Sequence, residues 1–167
     1  MNTLNLPPCD LRLREEDGGR LYVFDPLRGK YVRFTPEEEV RQRFVQHLIT
    51  DMGYPPGLLA NEFEIEVGRV KKRCDTVVFD SSLKPLLIVE YKAPRVSIGE
   101  AVVRQAVQYN YSCRVPYIVL SNGLAHVAFA IDYATNSVKP LDHIPSYTEL
   151  QRERRDDSSG SSTKLSE

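Results

Sequence analysis

The chain has 167 residues, enough for one domain with a single sizeable core. Hydrophobic residues make up 41% and charged residues 27%, the mix of an ordinary globular protein, and no apolar run nears the roughly 18 to 20 residues of a membrane-spanning helix. Lys and Arg (22) nearly balance Asp and Glu (23), so overall charge makes no case for a nucleic-acid or membrane partner, and any such case is local. Residues 1–10 lack the basic start and apolar core of a secretory signal. Cys9, Cys74 and Cys113 are far apart and show neither disulfide-framework nor zinc spacing, which fits a reducing, cytoplasmic setting.

In chain order, the opening residues predict a β-hairpin. Leu11 and Leu13 alternate with Arg12 and Arg14, Asp17-Gly18-Gly19 is a turn, and 21–24 read as a strand. Asp25-Pro26 ends it, and Arg28-Gly29-Lys30 turns into a short strand at 31–34. A helix follows. Thr35 suits its N-cap, Pro36 its first position, Glu38 completes a T-x-x-E capping box, and Val40, Phe44, Val45, Leu48 and Ile49 form one apolar stripe ending at Gly53. Strands are expected at 62–67, 73–79 and 86–91, the last two apolar enough to be central. A second box, Ser97-x-x-Glu100, starts a helix running to about Cys113, and strands at 117–120 and 127–131 flank an Asn122-Gly123 turn. Residues 151–167 are charged and then Ser/Gly-rich, with only Leu165 apolar, and read as a disordered tail.

Residues 86–92 are the informative stretch, an apolar strand ending in Glu90-Tyr91-Lys92. Period-two alternation puts Glu90 and Lys92 on one sheet face. A hairpin with the preceding strand brings Asp75 near Glu90. Two carboxylates at one sheet edge suit a hard divalent cation, and magnesium needs no more protein ligands if water and phosphate supply the rest.

Through Asp75 and Glu90-Tyr91-Lys92 the sequence resembles the PD-(D/E)xK nuclease superfamily. The closer resemblance is to the N-terminal nuclease-type domain of type I restriction enzyme R subunits, in its small stand-alone form. It is carried over roughly residues 20–147 by Phe24-Asp25-Pro26-Leu27-Arg28, Thr35-Pro36-Glu37-Glu38 with Arg41-Gln42, Lys72-Arg73-Cys74-Asp75, Val89-Glu90-Tyr91-Lys92-Ala93-Pro94, Gln105 with Tyr109-Asn110, and Ser121-Asn122-Gly123. The resemblance implies metal-dependent phosphodiester hydrolysis. Asp75 and Glu90 match the Mg²⁺ or Mn²⁺ ligands, the main-chain carbonyl of Tyr91 a further one, and Lys92 the catalytic lysine. Glu38 is the expected acidic ligand from the first helix, chosen over Glu37. Gln105 and Tyr109 match a Q-x-x-x-Y element close to the site. The chain departs from the family in having Cys74 where proline often precedes the first Asp, and in lacking the motor domains of whole R subunits.

Each feature also has a plainer reading. Asp75, Glu90 and Lys92 would make a salt-bridge cluster, but charges at the end of a buried strand need a partner or a metal. The capping box alone accounts for Glu38. Arg41 leans toward the apolar stripe and either pairs with Glu37 or Glu38 or binds phosphate. Arg69, Lys71, Lys72 and Arg73 form the densest basic run and either attract DNA or solvate a turn. Arg12, Arg14, Arg20, Arg28, Lys30 and Arg33 enrich the first hairpin similarly. Neither basic region is interleaved with a stacking motif, so no base-reading module is indicated. His47, His126 and His143 are isolated from one another and from the cysteines.

The expected fold is therefore α/β, with a restriction-endonuclease-like α-β-β-β-α-β core and a mixed central sheet over residues 35–150. An N-terminal β-hairpin covers 1–34 and a disordered tail 151–167. The expected activity is that of a Mg²⁺- or Mn²⁺-dependent endonuclease-type hydrolase. DNA is the expected partner, with a homodimer or separately encoded restriction-system subunits as further ones and no membrane. The alternative function is a catalytically idle or partner-dependent DNA-binding subunit.

Overall fold

The computed structural model describes residues 3–160, with side chains as far as Arg154. Three short strands come first, β1 (Leu13–Glu16), β2 (Arg20–Asp25) and β3 (Lys30–Arg33), joined in an antiparallel sheet. The expected hairpin is thus a three-stranded unit. Helix α1 (Pro36–Thr50) leads through a single 3₁₀ turn at Pro56–Leu58 into β4 (Leu59–Val67), β5 (Val70–Phe79) and β6 (Pro85–Tyr91). Helix α2 (Glu100–Tyr111), β7 (Tyr117–Ser121), β8 (His126–Asp132), β9 (Ser137–Leu141) and α3 (Tyr147–Gly160) complete the described chain. None of the described helices is long and apolar enough to cross a membrane.

The main sheet has the order β4-β5-β6-β7-β8-β9. It is mixed because α2 carries the chain over from β6 to β7, which pair in parallel, while every other neighbour is antiparallel. The α-β-β-β-α-β core stands as expected. β9 is an addition that the sequence did not suggest, a mostly exposed edge strand holding Pro140, where a missing amide costs no inner ladder bond.

Two apolar clusters sandwich the sheet. On one face Val40, Phe44 and Leu48 of α1 meet Val78, Leu87, Val89, Tyr91 and Val119. On the other, Ile65, Cys74, Val77 and Ile88 meet Cys113 and Val115. Cys74 and Val78 have the same parity on β5 yet lie on opposite faces, as do Leu59 and Ile65 on β4. Alternation is therefore broken between them. The break falls at Asp75, opposite Glu62, whose φ of +55° is left-handed.

The helix starts differ from the expectations. Thr35 Oγ1 accepts the Glu38 amide at 3.1 Å, but the Glu38 carboxylate does not return to Thr35 and is held by Arg28, Arg41 and Gln42 instead. Two guanidinium partners outcompete one backbone amide. The Ser97 box does not form. Gly99 is the N-cap of α2 and gives no side-chain cap, because the segment before it is spent on a turn in which Val96 N–H donates to Ala93. The complete capping box is at α3. Ser146 N–H donates to Glu149 Oε2 at 2.6 Å and Glu149 N–H to Ser146 Oγ at 3.4 Å.

The expected disordered tail needs correction over residues 151–160, which continue α3; residues 161–167 lie outside the described residues. Composition alone missed the anchor. The buried Leu150 belongs to the α1-side cluster, Glu153 accepts from Tyr117 Oη, and Arg154 pairs with Asp80.

Candidate active site at the ends of β5 and β6

The β5–β6 register sets Thr76 against Val89 and Val77 against Ile88, so Asp75 lies across from Glu90. Asp75 Oδ2 accepts the Tyr91 amide at 2.8 Å, fixing the carboxyl beside the β6 end. Glu90 and Lys92 share a face as alternation requires, with Lys92 Nζ 2.9 Å from Glu90 Oε1. Tyr91 points the opposite way and is buried against Phe44, ring centroids 5.8 Å apart. Its hydroxyl donates to Thr76 Oγ1 at 3.0 Å. Thr76 donates in turn to Asn61 at 2.6 Å, and Asn61 to Asp25 at 2.9 Å.

A cleft of about 180 Å³ opens here, lined among others by Glu37, Arg73, Asp75, Glu90, Lys92, Tyr109 and Asn110. Burial is the largest influence on the Asp75 carboxyl. Reinforced by the charges of Glu90 and Glu62, it outweighs the Tyr91 amide and Arg41 and raises the pKa above the usual aspartate value. Burial, then the Asp75 charge, raises Glu37 likewise. For Lys92 burial works to lower the pKa, but Glu90, Asp75 and Glu37 together raise it. The lining thus holds three carboxylates, Glu37, Asp75 and Glu90, against two cations, Arg73 and Lys92.

Of the residues expected at the site, Asp75, Glu90, Tyr91, Lys92, Arg73 and Tyr109 line this cleft. Glu38 does not. Its oxygens are taken by Arg28 at 2.6 Å, Arg41 at 2.8 Å and Gln42 at 2.9 Å, while its neighbour Glu37 faces the cleft. Gln105 is exposed on α2 and outside the cleft lining. Arg41 takes the ion-pair role of the two left open. It is buried, with Nη1 on Glu38 at 2.8 Å and Nη2 on Glu62 at 2.8 Å and Asp75 at 3.3 Å.

The basic run is partly spent within the fold. Lys71 reaches Glu64 and Glu66 at 3.7 and 3.4 Å, and Arg73 reaches Glu62 at 2.5 Å. Lys72 Nζ donates to the Tyr109 carbonyl and sits 3.9 Å from the Tyr109 ring centre. Arg69 is exposed in the β4–β5 turn.

Two residues that the sequence reading gave no site role stand at the site. Asn110 is buried at the end of α2 and donates through Nδ2 to Glu90 Oε2 and to Ala106 O, both at 2.9 Å. The signal for it was a polar residue on the buried side of α2, four places after Ala106. Glu62 holds both Arg41 and Arg73, and nothing in the sequence marks it.

Among the described residues, no three His, Cys, Asp or Glu side chains converge as a finished metal cage. The donors present are the Asp75 and Glu90 carboxylates and main-chain carbonyls. This all-oxygen set is of the kind that fits a hard cation keeping part of its water.

Comparisons with known proteins agree with this architecture. The family model of the type I restriction enzyme R protein N terminus matches residues 36–145. A fragment described as an HsdR subunit of a type I restriction enzyme from Vibrio vulnificus YJ016 is 20% identical, with a TM-score of 0.53 over 74% of this chain. The chain spans 26% of that fragment's length. The type IIG restriction endonuclease BpuSI is 21% identical over 79% of this chain and 17% of its own, with a TM-score of 0.41. No curated protein matches. The family match covers most of the chain and contains every residue of the cleft, so the chain belongs to the family of type I restriction enzyme R protein N termini.

Proposed function

We propose that the chain is a metal-dependent DNA phosphodiesterase of the PD-(D/E)xK type. The observation that carries this reading is the meeting of Asp75, Glu90 and Lys92 in one cleft whose carboxylates outnumber its cations. Asp75, Glu90 and the Tyr91 carbonyl would hold Mg²⁺ or Mn²⁺, with Glu37 in the place expected of Glu38. The bound ion would lower the pKa of a water and offset charge on the phosphodiester. Lys92 stands beside Glu90, where its ammonium stabilises the negative charge that builds on phosphorus oxygens. Asn110 orients Glu90, and the Tyr91 amide and Arg41 orient Asp75. Tyr109 lines the mouth on the α2 side with Lys72 against its ring, a place where a phosphate would meet a cation. Free Cys9, Cys74 and Cys113 suit a reducing, cytoplasmic setting.

A second reading is that the chain works with other restriction-system subunits, as the family description, the N terminus of a type I restriction enzyme R protein, suggests. A homodimer would also place two sites on two strands. The test is plasmid cleavage by the purified chain with Mg²⁺ or Mn²⁺, with EDTA and Lys92→Ala as controls. Metal-dependent nicking lost in Lys92→Ala is expected. Equal nicking by both proteins overturns the reading; no nicking by either withdraws autonomous cleavage and leaves the partner-dependent reading.

A further inference from the structure

The small N-terminal sheet brings together residues that the sequence keeps apart. Register places Arg14 across from Tyr22 and Tyr22 across from Arg33. In the next rung Phe24 N–H donates to Arg12 O, and Phe24 faces Tyr31. Alternation then puts Arg12, Arg14, Arg20, Tyr22, Phe24, Tyr31 and Arg33 on one side. The other side carries Leu13, Leu21, Val23 and Val32, of which Val23 is fully buried, so it is the side turned inward.

The outward side is built of stacked cations and rings. The Arg12 guanidinium carbon lies 4.8 Å from the Phe24 ring centre and that of Arg14 lies 4.1 Å from the Tyr31 ring centre. Phe24 and Tyr31 meet edge to face with centroids 5.3 Å apart. All four arginines are exposed, and the three rings remain half-buried. The carboxylates at this face are Glu16, which pairs with Arg14 at 2.5 Å, and Asp10, which lines one cavity with Arg12 and Phe24. Arginines that merely shielded the rings would need no such excess of one sign, since unspecialised surfaces intersperse both.

We propose that this face binds single-stranded DNA, a second nucleic-acid contact separate from the cleft. Its charge complements a phosphate backbone. Its flat guanidinium and phenol surfaces suit stacking of unpaired bases, which is sequence-tolerant because every base has a π-face. The choice of DNA rests on the proposed function; the binding itself does not depend on cleavage.

The test is fluorescence anisotropy of a dye-labelled oligothymidylate in EDTA, where no metal-dependent hydrolysis proceeds. The double variant Arg20→Glu, Arg33→Glu alters exposed positions that cover no ring. It is expected to weaken binding by about tenfold or more and to flatten the salt dependence by about 0.7 in slope for each arginine. Arg104→Glu with Lys139→Glu, of equal net charge, is expected to bind like the native chain. The chain has no tryptophan, so Tyr22→Trp provides a single indole on the face. Quenching that saturates together with the anisotropy is the expected sign of stacking. Equal weakening by the two charge-reversed variants, saturation without quenching, or duplex DNA bound as tightly as the single strand would overturn the proposal. Failure of plasmid cleavage would leave it untouched.

Discussion

Arg41 reaches Asp75 from below the cleft, with Nη2 3.3 Å from Oδ1, while the other oxygen of Asp75 takes the Tyr91 amide. The same guanidinium holds Glu38 and Glu62, and Glu38 is also bonded by Arg28, itself paired with Asp25. A buried chain of alternating charge thus links the N-terminal sheet to the first carboxylate of the site. It also explains why Glu38 is absent from the cleft: both its oxygens are committed to this chain, and Glu37 is left to face the cleft.

Removing Arg41 should therefore cost stability. Deleting one partner of a buried ion pair typically costs about 3–5 kcal/mol, and the lower end applies because Glu38 keeps Arg28 and Glu62 keeps Arg73. Arg41→Lys should fall between native and Arg41→Ala, since one ammonium cannot serve Glu38 and Glu62 through separate nitrogens. Urea unfolding at neutral pH measures this, and an unshifted midpoint for Arg41→Ala counts against it.

The elements that carry the cleft were legible because their signals were local. Apolar runs bounded by turns marked β5 and β6, and alternation put Glu90 with Lys92. The misses share one cause, that local pattern does not say which partner wins. Thr35-x-x-Glu38 and Ser97-x-x-Glu100 read as capping boxes, yet Glu38 was drawn off by two arginines and Ser97 lies ahead of the Gly99 cap. Ser146-x-x-Glu149, the pair that does close a box, sat beside a stretch judged by composition alone. Asn110 and Glu62 matter through contacts twenty or more residues away in sequence. The arginine–aromatic face was partly legible, since Arg20 alternates with Tyr22 and Phe24 on β2 and Tyr31 with Arg33 on β3, but its stacked pairs, Arg12 on Phe24 and Arg14 on Tyr31, form only once the strands are side by side.

Two aspartates should respond oppositely to pH from the same starting value of 3.8. Asp75 has a folded pKa above its unfolded one, so the folded chain binds the proton more tightly. Its contribution to stability falls as pH rises from about 3.8 through the folded value and is constant beyond it. Asp25 is the reverse. Burial works to raise it, but Asn61, Arg28 and the Arg28 amide outweigh burial and lower it. Its contribution is present above 3.8 and is lost as pH falls through its folded value. Relative to the native chain, Asp75→Asn should gain stability above pH 3.8, whereas Asp25→Asn should lose it there and recover in acid. Chemical unfolding across this range decides both signs.

Asn110 is positioned to aim Glu90, donating to Glu90 Oε2 at 2.9 Å from a fully enclosed place. Asn110→Ala should cost about 1–3 kcal/mol, the range for leaving a buried acceptor short of a donor. Asn110→Asp should be less stable than native without metal, because a second carboxylate then faces Glu90, and should gain more melting temperature on adding Mg²⁺. Thermal melts with and without Mg²⁺ test this; an Asp variant that gains less than native would remove Asn110 from the account of the site.

Gly123 closes the Ser121-Asn122-Gly123 turn with φ +82°. Ser121 Oγ accepts its amide at 3.0 Å, and Asn122 Oδ1 accepts from Leu124 and Ala125. A Cβ added there would lie 2.9 Å from both Leu4 Cδ2 and Val40 Cγ2. Left-handed backbone disfavours alanine by roughly 1 kcal/mol, and crowding a packed site typically costs about 1–3 kcal/mol. Leu4 lies near the chain start and can swing aside, but Val40 is fixed in the buried stripe of α1, so a total near the middle of that range is expected for Gly123→Ala. The Asn5 amide, which donates to Gly123 O at 2.7 Å, should lose protection from hydrogen exchange as the N-terminal segment lifts. If stability fell while Asn5 stayed protected, backbone strain alone would explain the cost and the Leu4 contact would carry none of it.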